Sequence, residues 1–164
     1  TPTDYPIGER VRFHENLLAA GRRPEKRVLD VECRAATVGE ARALEVDEGA
    51  PVCAYRGLSL ADGAPIALFE SVFPVDRLSG IDQHLTETSS VTEALALSGV
   101  ADYTRASTRL TAVLADVTQA LLLHLREGDP LLRSTSVNVE AEGHPVEYGR
   151  TWFAGDRVTL TLEM

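Results

Sequence analysis

Along this chain the spacing of apolar residues switches back and forth between a helical and a strand-like period. In "TVGEARALEV" (37–46) apolar side chains fall at Val38, Ala41 and Leu44, the spacing of one helix face. Thr37 precedes that run with Glu40 three positions on, a capping-box signature. "ADVTQALLLHL" (115–125) repeats the arrangement with Asp116 and Gln119. Both helices are expected to stop at a glycine, Gly49 and Gly128, where the backbone turns left-handed. Around them lie extended runs rich in Val, Ile, Thr and Tyr. Asp62-Gly63 and Glu142-Gly143 interrupt these runs as hairpin turns. "EKRVLDVECRAAT" (25–37) and "DYTRASTRLTAVLA" (102–115) read as leading strands, "DRVTLTLEM" as a final one, and Phe13–Ala20 and Val91–Leu97 as further helices.

These pieces occur twice. "EGAPVCAYRGLSLADGAPIA" (48–67) and "EGDPLLRSTSVNVEAEGHPVE" (127–147) share E-G-x-P, a strand-like run, and A-[D/E]-G-x-P. Upstream, Ala41, Leu44, Val46, Glu48, Gly49 and Pro51 stand 79 positions before Ala120, Leu123, Leu125, Glu127, Gly128 and Pro130; past the turn the offset becomes 80. One inserted residue, read as a bulge, accounts for the slip. Helices inserted between hairpins predict an α+β fold with an antiparallel sheet, a pseudo-twofold and a cleft between the halves.

Composition narrows the function. The 164 residues suffice for one domain with a substantial core. No apolar run reaches the length of a membrane span and no signal peptide is visible, so a cytoplasmic protein is expected. The net charge of −9 argues against a nucleic-acid surface on this chain, because phosphate neutralisation needs a basic excess. The basic cluster "GRRPEKR" (21–27) reads as a solvated loop. Cys33 and Cys53 read as two reduced core residues rather than a disulfide.

Enzyme signatures are scarce: the chain carries no G-x-S-x-G, H-E-x-x-H, C-x-x-C or Walker loop. Its four histidines lack metal-ligand spacing, so no cofactor, metal or catalytic residue is expected. His124 reads as packed on an apolar helix face and His144 as solvated in a turn. Three constellations remain. In "RVRFHENL", the pattern alone favours a plain amphipathic helix with a polar outer face, and the sharper alternative is that Arg12, His14 and Asn16 with the helix N-terminus hold an anion. In "PVEYGRTWF", Glu147, Thr151 and Phe153 share one strand face, with Tyr148, Arg150 and Trp152 on the other. The repeat partner of Glu147 is Ala67, an asymmetry suited to a ligand held in one pocket; an edge strand with a solvated Glu is the alternative. In "YRGLSLADG", Tyr55, Gly57 and Ser59 share a face, and Arg56, among Leu58 and Leu60, needs a partner or a route to solvent.

Taken together, the motifs resemble the UTRA domain, the effector-binding half of HutC-type regulators in the GntR superfamily. The resemblance rests on Phe13, Asn16, Leu17 and Gly21, on "LADGAPIALFESVFP" (60–74), on Ser90 in "SSVTEAL", on "EGDPLLR" (127–133) and on "GHPVEYGRTWFAGDRVTLT" (143–161). The leading "DYPIGERVRFHENLLAAG" is similar to phosphonate-metabolism regulators of the PhnF type. The resemblance implies a chorismate-lyase-like fold over 1–164 without lyase activity, and DNA contacts made only by a winged helix-turn-helix domain absent from this chain. It also implies a homodimer, with the final strand's Val158, Leu160 and Leu162 in need of cover, and a small anionic effector, a phosphonate or phosphate ester.

Family contact positions map onto Phe13, His14, 57, 59, 69, Ser90, Glu147 and 153. Arginines common at 57 and 59 are here Gly57 and Ser59, and a common Glu at 69 is Phe69, which argues against a sugar phosphate. The expected effector set is therefore Arg12, Phe13, His14, Asn16, Arg56, Ser59, Ser90, Glu147, Arg150 and Phe153. Arg12 is the first choice for the anion, with Arg56, Arg133 and Arg150 behind it. A lyase-like enzyme on a small carboxylate or phosphonate and a dimerisation-only module are the alternatives.

Overall fold

The computed structural model describes residues 2–7, 22–88 and 90–162. Two strand–helix–hairpin units succeed one another. The first is β2 (Pro24–Ala35), α1 (Val38–Leu44), β3 (Pro51–Ala61) and β4 (Ala64–Pro74). A 3-10 turn (Val75–Arg77), α2 (Ile81–Glu87) and α3 (Val91–Leu97) then lead to the second: β5 (Thr104–Leu114), α4 (Val117–Leu123), β6 (Pro130–Val139) and β7 (Pro145–Ala154). These strands form one six-stranded antiparallel sheet in the order β2-β3-β4-β7-β6-β5, so the pseudo-twofold passes between β4 and β7. A separate two-stranded sheet pairs β1 (Thr3–Ile7) in parallel with β8 (Val158–Leu162). The expected helix at Phe13–Ala20 lies outside the described residues.

Local chemistry explains the helix starts. Thr37 and Asp116 each cap a helix while Glu40 and Gln119 return the bond, giving two complete capping boxes. The ends differ from expectation. Both helices stop at non-glycine residues in the left-handed region, Glu45 and His124, each at φ 55°. Gly49 and Gly128 (φ 82° and 88°) act later, donating their N–H groups to Ala36 and Ala115 as the chain re-enters the sheet. His124 is thus an exposed cap, not a packed helix-face residue.

The slip in the repeat is a turn insertion. Both hairpins carry equivalent register shifts, at Ser59/Leu60 and Asn138/Val139. The first closes through Asp62 and Gly63, both at positive φ as a type I′ turn requires. The second spans residues 141–143, held by N–H bonds from Glu142 and His144 to the Glu140 carboxylate.

Strand alternation gives the sheet two buried faces. On one, Tyr55, Phe73 and Val146 pack against Ile81, Leu85 and Leu95 of α2 and α3. On the other, Val52, Ala54 and Val72 meet Ala41 and Leu44 of α1, and Leu58, Leu68 and Leu131 meet Ala120 and Leu123 of α4. Val158 of β8 joins Ala61, Ile66, Ala67 and Phe153, with Leu160 packed alongside. The chain itself therefore covers much of the final strand's apolar face.

Two expectations fail here. Cys33 and Cys53 form a disulfide. Register decides it: the two residues are directly opposed on β2 and β3, with Cα atoms 4.1 Å apart. The basic run at 21–27 is not simply a loop, because Pro24 through Arg27 begin β2. Arg22 pairs with Asp62 of the first hairpin turn at 2.6 Å.

Candidate functional site

Polar residues in a sheet interior need partners or a purpose. Seven polar or charged residues among those described are buried, and five of them, Ser59, Ser71, Ser134, Asn138 and Glu147, lie on the α2–α3 face. Alternation from Phe73 and Tyr55 places them there.

Glu147 anchors the group. Ser71 Oγ donates to its Oε2 at 2.7 Å and Asn138 Nδ2 to its Oε1 at 2.9 Å. Asn138 Oδ1 in turn accepts from Arg105 Nε at 2.8 Å. Gly149 makes room beneath: a Cβ there would lie 3.3 Å from Ser136 Oγ, 3.7 Å from Ser71 Oγ and 3.9 Å from Glu147 Oε2. An ionised carboxylate has about four acceptor directions, so two donors leave it capacity for a further one.

The neighbouring surface is aromatic and cationic. The rings of Tyr55 and Phe69 stand 5.5 Å apart, and burial pushes the Tyr55 phenol up, so it stays a neutral hydroxyl. Phe69 lies directly over Gly57, where a Cβ would meet its Cζ at 2.5 Å. Lys26 is directly opposite Ser59 on β2 and reaches over the Tyr55 ring, 5.1 Å from its centroid.

The opposite face holds a second polar group. Arg150 and Arg56 both pair with Glu70, Arg56 at 3.7 Å, and Arg56 also approaches Asp30 at 3.5 Å. Arg150 stacks over Trp152 at 5.2 Å. A cavity of about 130 Å³ opens there beside Asp116 of the α4 cap. Its two arginines face two carboxylates, so the lining has no surplus of positive charge. The same sheet face carries Arg133, whose buried Nε lacks a hydrogen-bond partner among the described residues.

The UTRA domain family matches residues 19–159. The chain belongs to this family. An HTH-type transcriptional regulator of Rhizobium meliloti (strain 1021) is 36% identical over 159 residues, covering 97% of this chain and 65% of its own length. The HTH-type transcriptional repressor PhnF of Mycolicibacterium smegmatis is 27% identical over 121 residues, 74% of this chain and 49% of its own. The crystal structure of PhnF from Mycobacterium smegmatis superposes with a TM-score of 0.90 at 24% identity, covering 99% of this chain and 72% of that one. The effector domain of the same protein gives 0.84 over 98% of both chains. The chain thus spans about two thirds of the first relative and half of the second, and both are named as regulators rather than enzymes.

Within this UTRA domain, the contact positions expected from sequence separate into groups. Ser59, Phe69, Glu147 and Phe153, with Gly57, share the α2–α3 face. Ser90 caps α3, accepting from the Glu93 N–H at 3.2 Å. Arg56 and Arg150 project to the other face and are occupied by Glu70, so neither joins Glu147. Their placement follows from odd–even alternation along β3 and β7. Arg12, Phe13, His14 and Asn16 lie outside the described residues. Sequence reasoning passed over Ser71, Asn138, Arg105 and Lys26. Their single signal was a polar residue on the apolar face of a strand, legible only once register was known.

A trio on the second hairpin turn, half-buried Glu140 with exposed Glu142 and His144, brings its ligand atoms within 4.8 Å of one another. His144 Nδ1 stands 3.3 Å from Glu140. None of the described helices is long and apolar enough to cross a membrane.

Proposed function

We propose that this UTRA domain is the sensing part of a dimeric transcriptional repressor in the cytoplasm. It binds a small anionic metabolite, a phosphonate or phosphate ester, on the α2–α3 face around Glu147. Operator contacts are made by a winged helix-turn-helix outside this chain. The observation that carries the reading is an asymmetry within a symmetric fold. The second half buries a carboxylate with two donors at a position where the first half has Ala67. A buried charge costs stability unless it is used or satisfied, and packing alone would accept alanine at both positions.

The mechanism is linkage. An effector that prefers the arrangement with low operator affinity lowers DNA binding by its differential affinity for the two arrangements. The net charge of −9 fits a sensor and not a DNA-reading surface.

Retardation of an operator fragment by the full-length regulator, titrated with phosphonates and phosphate esters, tests this. The wild type should release DNA with one of them. Glu147→Gln should keep operator affinity and lose the response. A full response in Glu147→Gln, or specific retardation by these 164 residues alone, refutes the reading.

A further inference from the structure

Among the described residues, the α2–α3 face has two cations near Glu147, and they differ in one respect. Arg105 is committed: its Nε bonds Asn138 at 2.8 Å and its Nη1 reaches Thr108 Oγ1 at 3.4 Å. Lys26 has neither a hydrogen bond nor an ion pair with any described residue; its ammonium leans on the Tyr55 ring. Its flanking residues Glu25 and Arg27 alternate to the other face. Burial lowers its pKa, and the Glu147 charge opposes that shift. An ammonium carries three donors, and holding one half-buried with none engaged is unfavourable. The Ser59 hydroxyl directly opposite likewise makes no side-chain hydrogen bond with a described residue. Among the described residues, a cation and a hydroxyl therefore stand uncommitted on the same face as a carboxylate with spare acceptor capacity.

We infer that Lys26 is the anion-binding residue of the Glu147 site, and that the bound molecule is bifunctional. Its acid group rests on Lys26, whose ammonium lies over the Tyr55 ring within reach of the Glu147 charge, and its hydrogen-bond donor, an ammonium or hydroxyl, is accepted by Glu147. This deepens the functional reading above and rests on it. It moves the positive charge from the arginines to β2. It also disfavours simple inorganic anions, because Glu147 repels a ligand that presents only negative charge.

Calorimetric titration of the chain with three probes tests the inference: methylphosphonate (acid only), ethanolamine (donor only) and 2-aminoethylphosphonate (both). The wild type should bind the bifunctional probe more tightly than either half. Lys26→Met should weaken binding of the acid-bearing probes by about tenfold or more, the effect of losing a hydrogen bond to a charged group. Lys26→Arg should restore much of it, with melting curves confirming that each variant is folded. Glu147→Gln should erase the preference for 2-aminoethylphosphonate over methylphosphonate. If Lys26→Met binds as the wild type does while Glu147→Gln is impaired, the site stands and the role of Lys26 falls. If neither variant changes binding, or the wild type binds no probe, both fall.

Discussion

Arg77 and Arg157 make the same three hydrogen bonds at equivalent places in the two halves. Arg77 donates to the Leu44 and Glu45 carbonyls at the end of α1 (2.6 Å each) and to Pro145 O of the other half at 2.8 Å. Arg157 donates to Leu123 and His124 at the end of α4 (2.6 and 3.0 Å) and to Pro65 O at 2.8 Å. Each guanidinium satisfies carbonyls that a helix end leaves open, where the helix dipole also favours a cation. Each ties its own helix to the opposite hairpin.

Removing either clamp should cost stability without touching the Glu147 site. Arg77→Ala and Arg157→Ala are each expected to lower unfolding free energy by about 1.5–3 kcal/mol. The change should appear as a lower urea midpoint at unchanged slope. Arg→Lys should recover only part, because a single ammonium cannot reproduce the fork. The clamps share no partner, so the double variant should be close to additive.

The α1 cap in the first half should be acid-sensitive. Arg34 binds Glu40 through both oxygens, at 2.6 and 2.9 Å, and the Thr37 N–H adds a third bond. Arg34 first, and the cap second, hold the Glu40 carboxyl below its usual range. A depressed folded-state pKa stabilises above the unfolded value, and that contribution is lost as pH falls through the folded value. Wild type should therefore lose stability on acidification below the ordinary glutamate range more steeply than Glu40→Gln. Urea unfolding across an acid pH series reads this. Equal slopes would contradict the assignment.

Gly57 and Phe69 stand directly opposite one another on β3 and β4, and the ring of one accounts for the missing side chain of the other. A Cβ at 57 would meet the Phe69 ring at 2.5 Å and the Arg27 carbonyl at 2.7 Å. Gly57→Ala should destabilise by about 1–3 kcal/mol, the range for overpacking. Phe69→Ala should relieve that only partly, since the backbone carbonyl stays in place. Thermal melts of the two single variants and the double variant check it.

The Cys33–Cys53 bridge closes a segment with a sequence separation of 20. Chain-entropy arguments give a loop of that size about 3 kcal/mol of stabilisation. Thiol titration in denaturant should find no free cysteine before reduction and two after. Reduction, or Cys33→Ser with Cys53→Ala, should lower the melting temperature.

The sequence by itself determined the pseudo-twofold, the capped helices α1 and α4, and the hairpin at Asp62-Gly63. The caps and the turn rest on short-range sterics and hydrogen bonding, complete within four or five residues, and the pseudo-twofold is legible because the same local signals recur 79–80 positions later. It also separated the faces of single strands, placing Glu147 with Phe153 and away from Arg150. Tertiary structure decided which strands lie side by side and in what register. Ser71 meets Glu147 across 76 positions, and Lys26 meets Ser59 only because of the register of β2 on β3. That register shifts between Val28 and Asp30, and nothing in those residues announces it. The same pairing opposes Cys33 to Cys53, and sheet packing carries Arg77 and Arg157 to the opposite hairpins. Alternation shows which way a side chain points; only the paired sheet shows what it meets.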